Sequence, residues 1–104
     1  MLIYNVTINI DEDIHTDWLQ WMQTEHIPEV MNTGLFVQHR ILRLLTPLPE
    51  TKGPTYAVQY YCHSQQQLDR YQTAHAPRLQ HAHNLRYANK FVAFRTVLEV
   101  VEKG

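Results

Sequence analysis

Seven histidines, one cysteine and one arginine set inside an apolar alternation are the residues through which this chain could do chemistry. Metal binding is the first chemistry that histidines suggest, and it has a spacing requirement. Two imidazoles on one helix face stand three or four residues apart, as in H-x-x-x-H. Here His75 meets Leu79 at that offset and His81 meets Leu85. His81 and His83, two apart, leave a helix on different sides. The pattern predicts no metal site and no cofactor. A haem on one axial histidine needs no pair, yet nothing in the sequence supports one at His26 or His75.

Nucleophilic chemistry has less to stand on. Cys62 falls on the apolar side of a predicted strand, with His63 pointing the other way, so a buried structural thiol is expected. There is no G-x-S-x-G elbow, phosphate-cradling loop or dinucleotide fingerprint, and the chain has only three glycines.

A small-molecule pocket is the third chemistry. Trp18, Trp21 and Met22 share a helical stripe, and His26 stands one turn beyond Met22. Glu25 falls within the stripe, an odd place for an ionised carboxylate without a partner. Tyr4, Tyr60 and Phe94 are the expected floor, and His75 projects from the inner stripe of a second helix. In an enzymatic version His26 is a general base near its ordinary pKa, with Tyr60 and Asn5 orienting a carbonyl or phenol. Arg95 interrupts the series Phe91, Ala93, Val97, and a buried guanidinium needs an acceptor. Glu99 or its symmetry mate is the nearer candidate. An anionic ligand flanked by Asn5, Gln59 and Tyr61 is the other. A plainer account competes with all of this, because aromatic stripes at helical spacing are ordinarily core. It makes the tryptophans core, bonds Glu25 to an arginine or the backbone, and satisfies His26 and His75 at helix ends.

The elements that must position these residues follow from periodicity. Residues 2–10, LIYNVTINI, alternate as a strand, with Leu2, Tyr4, Val6, Ile8 and Ile10 on its dry face. Asp11-Glu12-Asp13 supplies an N-cap and first-turn acids. The helix that follows carries Ile14, Trp18, Trp21, Met22 and Glu25 and should end near His26, because Pro28 lacks a donor and restricts Ile27. Gly34 turns the chain back. Residues 35–46 read as a second strand with neither face cleanly apolar, which suits a bulge or an edge. TPLPETKGP, 46–54, is a loop, and 55–63 is a third strand with Tyr56, Val58, Tyr60 and Cys62 on one face. Ser64 with Gln67 is a capping-box pattern opening the second helix, whose stripe runs Leu68, Tyr71, His75, Leu79, Ala82, Leu85 across a break at Pro77. Residues 91–101 form the last strand.

The order β-α-β-β-α-β predicts an α+β, ferredoxin-like domain spanning residues 1–104, a four-stranded antiparallel sheet with two helices on one face. Two helices cover one face only. Phe94 and Leu98 are assigned with Tyr4, Val6, Ile8, Val58 and Tyr60 to the covered face. Ile3, Ala57, Tyr61, Phe91, Ala93 and Val97 are left on the other, a patch larger than monomers usually expose. A homodimer through that sheet face follows, as a dimeric α/β barrel with two-fold symmetry.

Composition bounds the rest. At 104 residues, 44% hydrophobic and 18% charged, the chain is one ordinary globular domain. Nine Lys/Arg against ten Asp/Glu give a net charge of -1, without the basic surplus that nucleic-acid binding needs. One cysteine excludes an internal disulfide and suits a reducing compartment. No signal-like or membrane-spanning run occurs, so no membrane partner and a cytoplasmic location are expected.

IYNVTINID, EHIPEVMNTGLF, the Tyr-Gln-Tyr-Tyr-Cys strand and KFVAFRTVLEVV together resemble a short bacterial domain-of-unknown-function family of the dimeric α/β-barrel group. The resemblance covers the whole chain. That group includes cofactor-independent monooxygenases, haem-degrading enzymes, isomerases and pure ligand binders, with pockets between sheet and helices. The resemblance therefore implies a homodimeric small-molecule-binding domain, extending to a cofactor-independent oxygenase or isomerase. The alternative is a non-catalytic interaction or structural dimer module.

Overall fold

Strand β1 (Leu2–Ile10) is the axis of the fold in a computed structural model that describes residues 1–104. It pairs antiparallel with β3 (Thr55–Cys62) on one side and β4 (Phe91–Glu99) on the other. Strand β2 (Gln38–Arg43) pairs with the outer side of β3, giving the sheet order β2-β3-β1-β4. Both central strands are the ones whose alternation is cleanest. Tyr4, Ile8 and Ile10 of β1 and Tyr56, Val58, Tyr60 and Cys62 of β3 are all buried beneath the helices. Burial pushes the Cys62 thiol pKa up, as expected of a structural thiol.

The first helical layer departs from the expected one. A 3-10 turn (Glu12–Ile14) opens it without a side-chain cap from Asp11, and Asp13 pairs with Lys90 at 2.7 Å instead. Helix α1 (His15–Trp21) then runs into a π turn (Met22–His26) and on into α2 (Ile27–Met31), so Pro28 does not end the helix at His26. Proline normally clashes with the carbonyl four residues back, and the wider π turn relieves that crowding. Gly34, at φ 76°, donates to the Met31 carbonyl at 3.1 Å and closes the helix as predicted.

The expected strand over 35–46 is shorter. Leu35 and Phe36 leave the sheet for the core, where Phe36 packs 4.8 Å from Tyr71 and 5.2 Å from Tyr60. The rest of β2 is an edge strand and largely exposed, which explains its mixed faces.

Helices α3 (Gln65–Ala74) and α4 (Ala76–Arg86) make the second layer. The Ser64 hydroxyl accepts from the Gln67 amide at 3.2 Å, and the Gln67 side chain reaches back to the His63 amide at 3.1 Å. This is the predicted capping box, closed one residue early. His75 has φ -127° and breaks the helix, so α4 starts a new phase at Ala76-Pro77. Its buried residues are Ala76, Leu79 and His83, followed by Tyr87, whereas Ala82 is exposed and Leu85 is 70% exposed. The expected single stripe through His75, Ala82 and Leu85 is therefore wrong beyond the break.

Strand β4 also presents the opposite face from the one expected. Val6 stands opposite Arg95, Ile8 opposite Ala93 and Ile10 opposite Phe91, and directly opposed residues share a face. Phe91, Ala93, Arg95 and Val97 thus lie on the helix side. Val92, Phe94 and Leu98 lie on the open side with Ile3, Ala57, Tyr61 and Leu42, at 73%, 59% and 43% exposure for the three from β4. An exposed apolar face remains, with different β4 members. No helix is long and apolar enough to cross a membrane.

The 46–54 loop is fastened to the end of β1 by Asn9, whose side-chain amide donates to the Gly53 and Pro54 carbonyls at 2.7 and 3.2 Å. A Cβ at Gly53 would lie 2.2 Å from the Ile10 carbonyl oxygen and 2.7 Å from the Glu12 amide nitrogen. Gly53→Ala must displace backbone, and is expected to cost about 2–3 kcal/mol, lowering the melting temperature by about 10 °C in a thermal unfolding scan. An unchanged melting temperature would refute that close approach.

Candidate functional site

The π turn decides which polar side chain of the first helix faces the sheet. A π turn advances each residue less than an α turn, so Glu25 swings outward while His26 stays in line with Met22 and Val30. Glu25 is exposed, which resolves its odd placement in an α-helical stripe. His26 is half-buried, with its ring stacked on Trp21 at 4.9 Å. On the facing layer His83 is buried, its ring 5.9 Å from His26 and 4.5 Å edge-on from Phe91.

These two imidazoles wall a cavity of about 40 Å³ between the sheet and both helical layers. Its floor is Tyr4, Val6, Ile8, Val58 and Tyr60, and Phe91, Ala93 and Arg95 close the β4 side. Tyr71, Leu79 and Gln80 come from the second helical layer, Met22 and Val30 from the first. The volume admits about three waters, or a group the size of a carboxylate. It is too small for a porphyrin, and no three His, Cys, Asp or Glu side chains converge anywhere to hold a metal ion.

Burial shapes the protonation of four of the groups lining the cavity. Desolvation, and then the Arg95 charge, lower the His26 pKa to about 4. The expected base near its ordinary pKa is thus replaced by a neutral, weakly basic imidazole. His83 falls to about 4 through desolvation, then His26, then Arg95. Burial raises the pKa of Tyr60 and of Tyr71, so both phenols keep their protons. Arg95 is the one ionised lining residue. Arg95 is exposed rather than buried as expected, so it needs no buried acceptor, and it makes no ion pair with Glu99 of its own chain.

Of the residues singled out from sequence, the structure brings His26, Tyr60 and Arg95 to one cleft. Trp18 is fully buried behind it, donating from its indole N–H to His83 Nε2 at 3.0 Å. Trp21 backs His26 without lining the cavity. His75 stacks on Tyr71 at 6.4 Å and stays outside. Asn5 lies on the open sheet face, where it donates to Thr7 and Thr96 at 3.1 and 3.2 Å and accepts from Gln59 at 3.2 Å. It cannot assist Tyr60 across the sheet. His83 is the residue that sequence reasoning missed. A stripe restarted at Pro77 would have found it, since Leu79, His83 and Tyr87 are spaced by four.

Neutral buried histidines make stability depend on acid. Unfolded imidazoles bind protons below pH 6.5, whereas His26 and His83 hold out to about 4. The folded state is fully favoured above the unfolded pKa and loses ground as pH falls through that window. The expected loss in denaturant melts is about 1–3 kcal/mol per histidine between pH 7 and 4, discounted for access to water. His83→Asn should flatten the slope. A flat wild-type profile would refute the neutral pair.

The architecture has known counterparts. It is similar to a dimeric ferredoxin-like protein from an uncultured marine organism, at TM-score 0.70 and 10% identity, covering 100% of this chain and 98% of that one. It is also similar to an MhuD variant with two manganese protoporphyrin IX molecules bound per active site, at TM-score 0.67 and 16% identity, over 100% and 98% of the two chains. A third is an antibiotic biosynthesis monooxygenase, at TM-score 0.60 and 14% identity, over 98% and 100%. At these identities the likeness establishes the ferredoxin-like fold alone. No curated protein matches the sequence. A family model matches residues 1–101, and the chain belongs to that family, DUF4286, a domain of unknown function.

Proposed function

We propose that this protein is a homodimeric small-molecule-binding domain whose ligand enters the cleft beneath the helices. One observation carries the reading: two un-ionised imidazoles and the guanidinium of the exposed Arg95 line a single, mostly apolar cavity between the sheet and the helices. His26 makes no hydrogen bond within the chain, and no buried polar side-chain atom is left without one, so its ring nitrogens keep access to solvent while the residue lines the cleft. That a porphyrin-binding protein shares the fold supports the reading that this architecture can hold a small molecule.

The second copy covers the open sheet face. Leu42, Val92, Phe94 and Leu98 are exposed there around the Asn5–Gln59–Thr96 network, an apolar ring with a satisfied polar centre. The dimeric state of a structural neighbour supports self-association. In an enzymatic version, His26 removes a proton from an enol or phenol, and the resulting oxyanion rests beside Arg95 with the Tyr60 hydroxyl as donor. The lowered pKa makes His26 a weak base, so such a step requires a substrate whose acidity Arg95 raises.

Native mass spectrometry of protein purified from its own host is the decisive measurement. The expected species is a dimer retaining a small molecule, and a concentration-independent monomer in sedimentation would refute the assembly. Trp21 lies against His26, so its fluorescence should report ligand binding. His26→Ala is expected to abolish a ligand-induced fluorescence change while leaving the dimer intact, and unchanged binding would end the role of His26.

A further inference from the structure

We propose that Trp18 locks His83 as an Nδ1–H donor facing the cleft, and that the cleft thereby selects ligands bearing a carboxylate or similar oxyanion, held between that N–H and the Arg95 guanidinium. The proposal rests on the cleft being a ligand site, as argued above.

The lock follows from what each group can do. An indole N–H donates and never accepts. Trp18 Nε1 lies 3.0 Å from His83 Nε2, with Trp18 at 0% exposure, so Nε2 must present its lone pair. A neutral imidazole carries one proton, and that proton is then on Nδ1. A charged ring would set two N–H groups against each other in a buried space, and burial already holds His83 neutral. Nδ1 has no partner within the chain, and no buried polar side-chain atom lacks one, so Nδ1 keeps access to solvent on a ring that lines the cleft. His83 therefore offers a donor of fixed direction.

The rest of the lining agrees in sign. Arg95 contributes the sole full charge, and no Asp or Glu lines the cavity. Tyr60 and Tyr71 stay protonated and can donate. The Tyr4 hydroxyl receives the Gln80 amide at 3.5 Å. The inventory is rich in donors, with neutral His26 as the exception able to accept. A cavity of about 40 Å³ accommodates the acidic head of a ligand, while the apolar body lies toward Ala93 and Val6.

Benzoate, benzyl alcohol and benzylamine share a ring and differ in the head, so they test the selection directly. Titration into the 15N-labelled dimer is expected to show benzoate binding at least about tenfold tighter than either of the others, the worth of a charge-assisted hydrogen bond. Long-range 15N–1H spectra at pH 7 should show His83 with its proton on Nδ1. Trp18→Phe keeps the ring and removes the donor. It should mix the His83 tautomers and cut the benzoate preference several-fold, while benzyl alcohol binding holds. Arg95→Met should erase the preference and leave the tautomer unchanged, which keeps the test decisive should Trp18→Phe fail to fold. An Nε2–H tautomer in the wild type, or three probes binding alike, overturns this proposal and leaves the cleft reading standing. Binding of none at millimolar concentration overturns both.

Discussion

In an antiparallel sheet, residues directly opposite one another share a face, and a slip of one position exchanges the two faces. The pairing of β1 with β4 is therefore the constraint on which the site depends. With Val6 opposite Arg95, a guanidinium borders the cleft. One step away, Phe94 would fill the cleft and Arg95 would stand on the open face. The alternation of β4 does not choose between these, because Phe91, Ala93 and Val97 are about as apolar as Val92, Phe94 and Leu98. The choice is made at the strand's start. The Asp11 amide donates to the Lys90 carbonyl at 2.9 Å, Asn89 adopts φ 64° to turn the chain, and Ile10 then meets Phe91. Phe91 closes the core against the edge of His83. Local turn geometry, not hydrophobic pattern, sets the register.

Both histidines of the cleft arrive there through departures from regular helix. His26 lies in the π turn, and His83 lies on a helix whose phase was reset at His75. An α-helical period of 3.6 carried through either irregularity gives the wrong side chain: Glu25 for His26, Ala82 or Leu85 for His83. The two failures differ in kind. Pro77 announces a new helix start, so restarting the count there would have recovered the stripe. The π turn has no comparable signal, because Pro28 reads equally well as a terminator. What makes Pro28 tolerable is the widened turn itself, a tertiary outcome that places Ile27 and Val30 in the core.

Where local and global preferences agree, the chain is legible from its residues. Strands β1 and β3 have one apolar parity each, and both fall where that parity requires. The Ser64–Gln67 cap, the turn at Gly34 and the burial of Cys62 follow from single-residue chemistry that no distant contact overrides. Arg95 shows the limit. It was recognisable as a cation in an apolar series, but its face and its partner depend on long-range register. Register puts Arg95 on the helix side, exposed at the edge of the cleft and without an ion pair to Glu99 of its own chain. Asn5 fails for the converse reason: its own face was read correctly, and it is the face without the pocket.

Trp18 and His83 each supply what the other lacks. The indole N–H is the polar atom of a fully buried side chain, and leaving it unbonded would cost about 1–3 kcal/mol. His83 Nε2 satisfies it while unprotonated. Protonating His83 would thus carry two penalties, the desolvation of a charge and the loss of the indole's acceptor. Arg95 adds a third through repulsion. Of these, the indole bond alone also fixes which imidazole nitrogen bears the proton. The bond that lets a tryptophan be buried is also the one that sets the tautomer of an imidazole lining the cleft. A hydrophobic substitution at His83 would preserve the shape of the core yet strand the indole N–H, so the position cannot be neutral for stability.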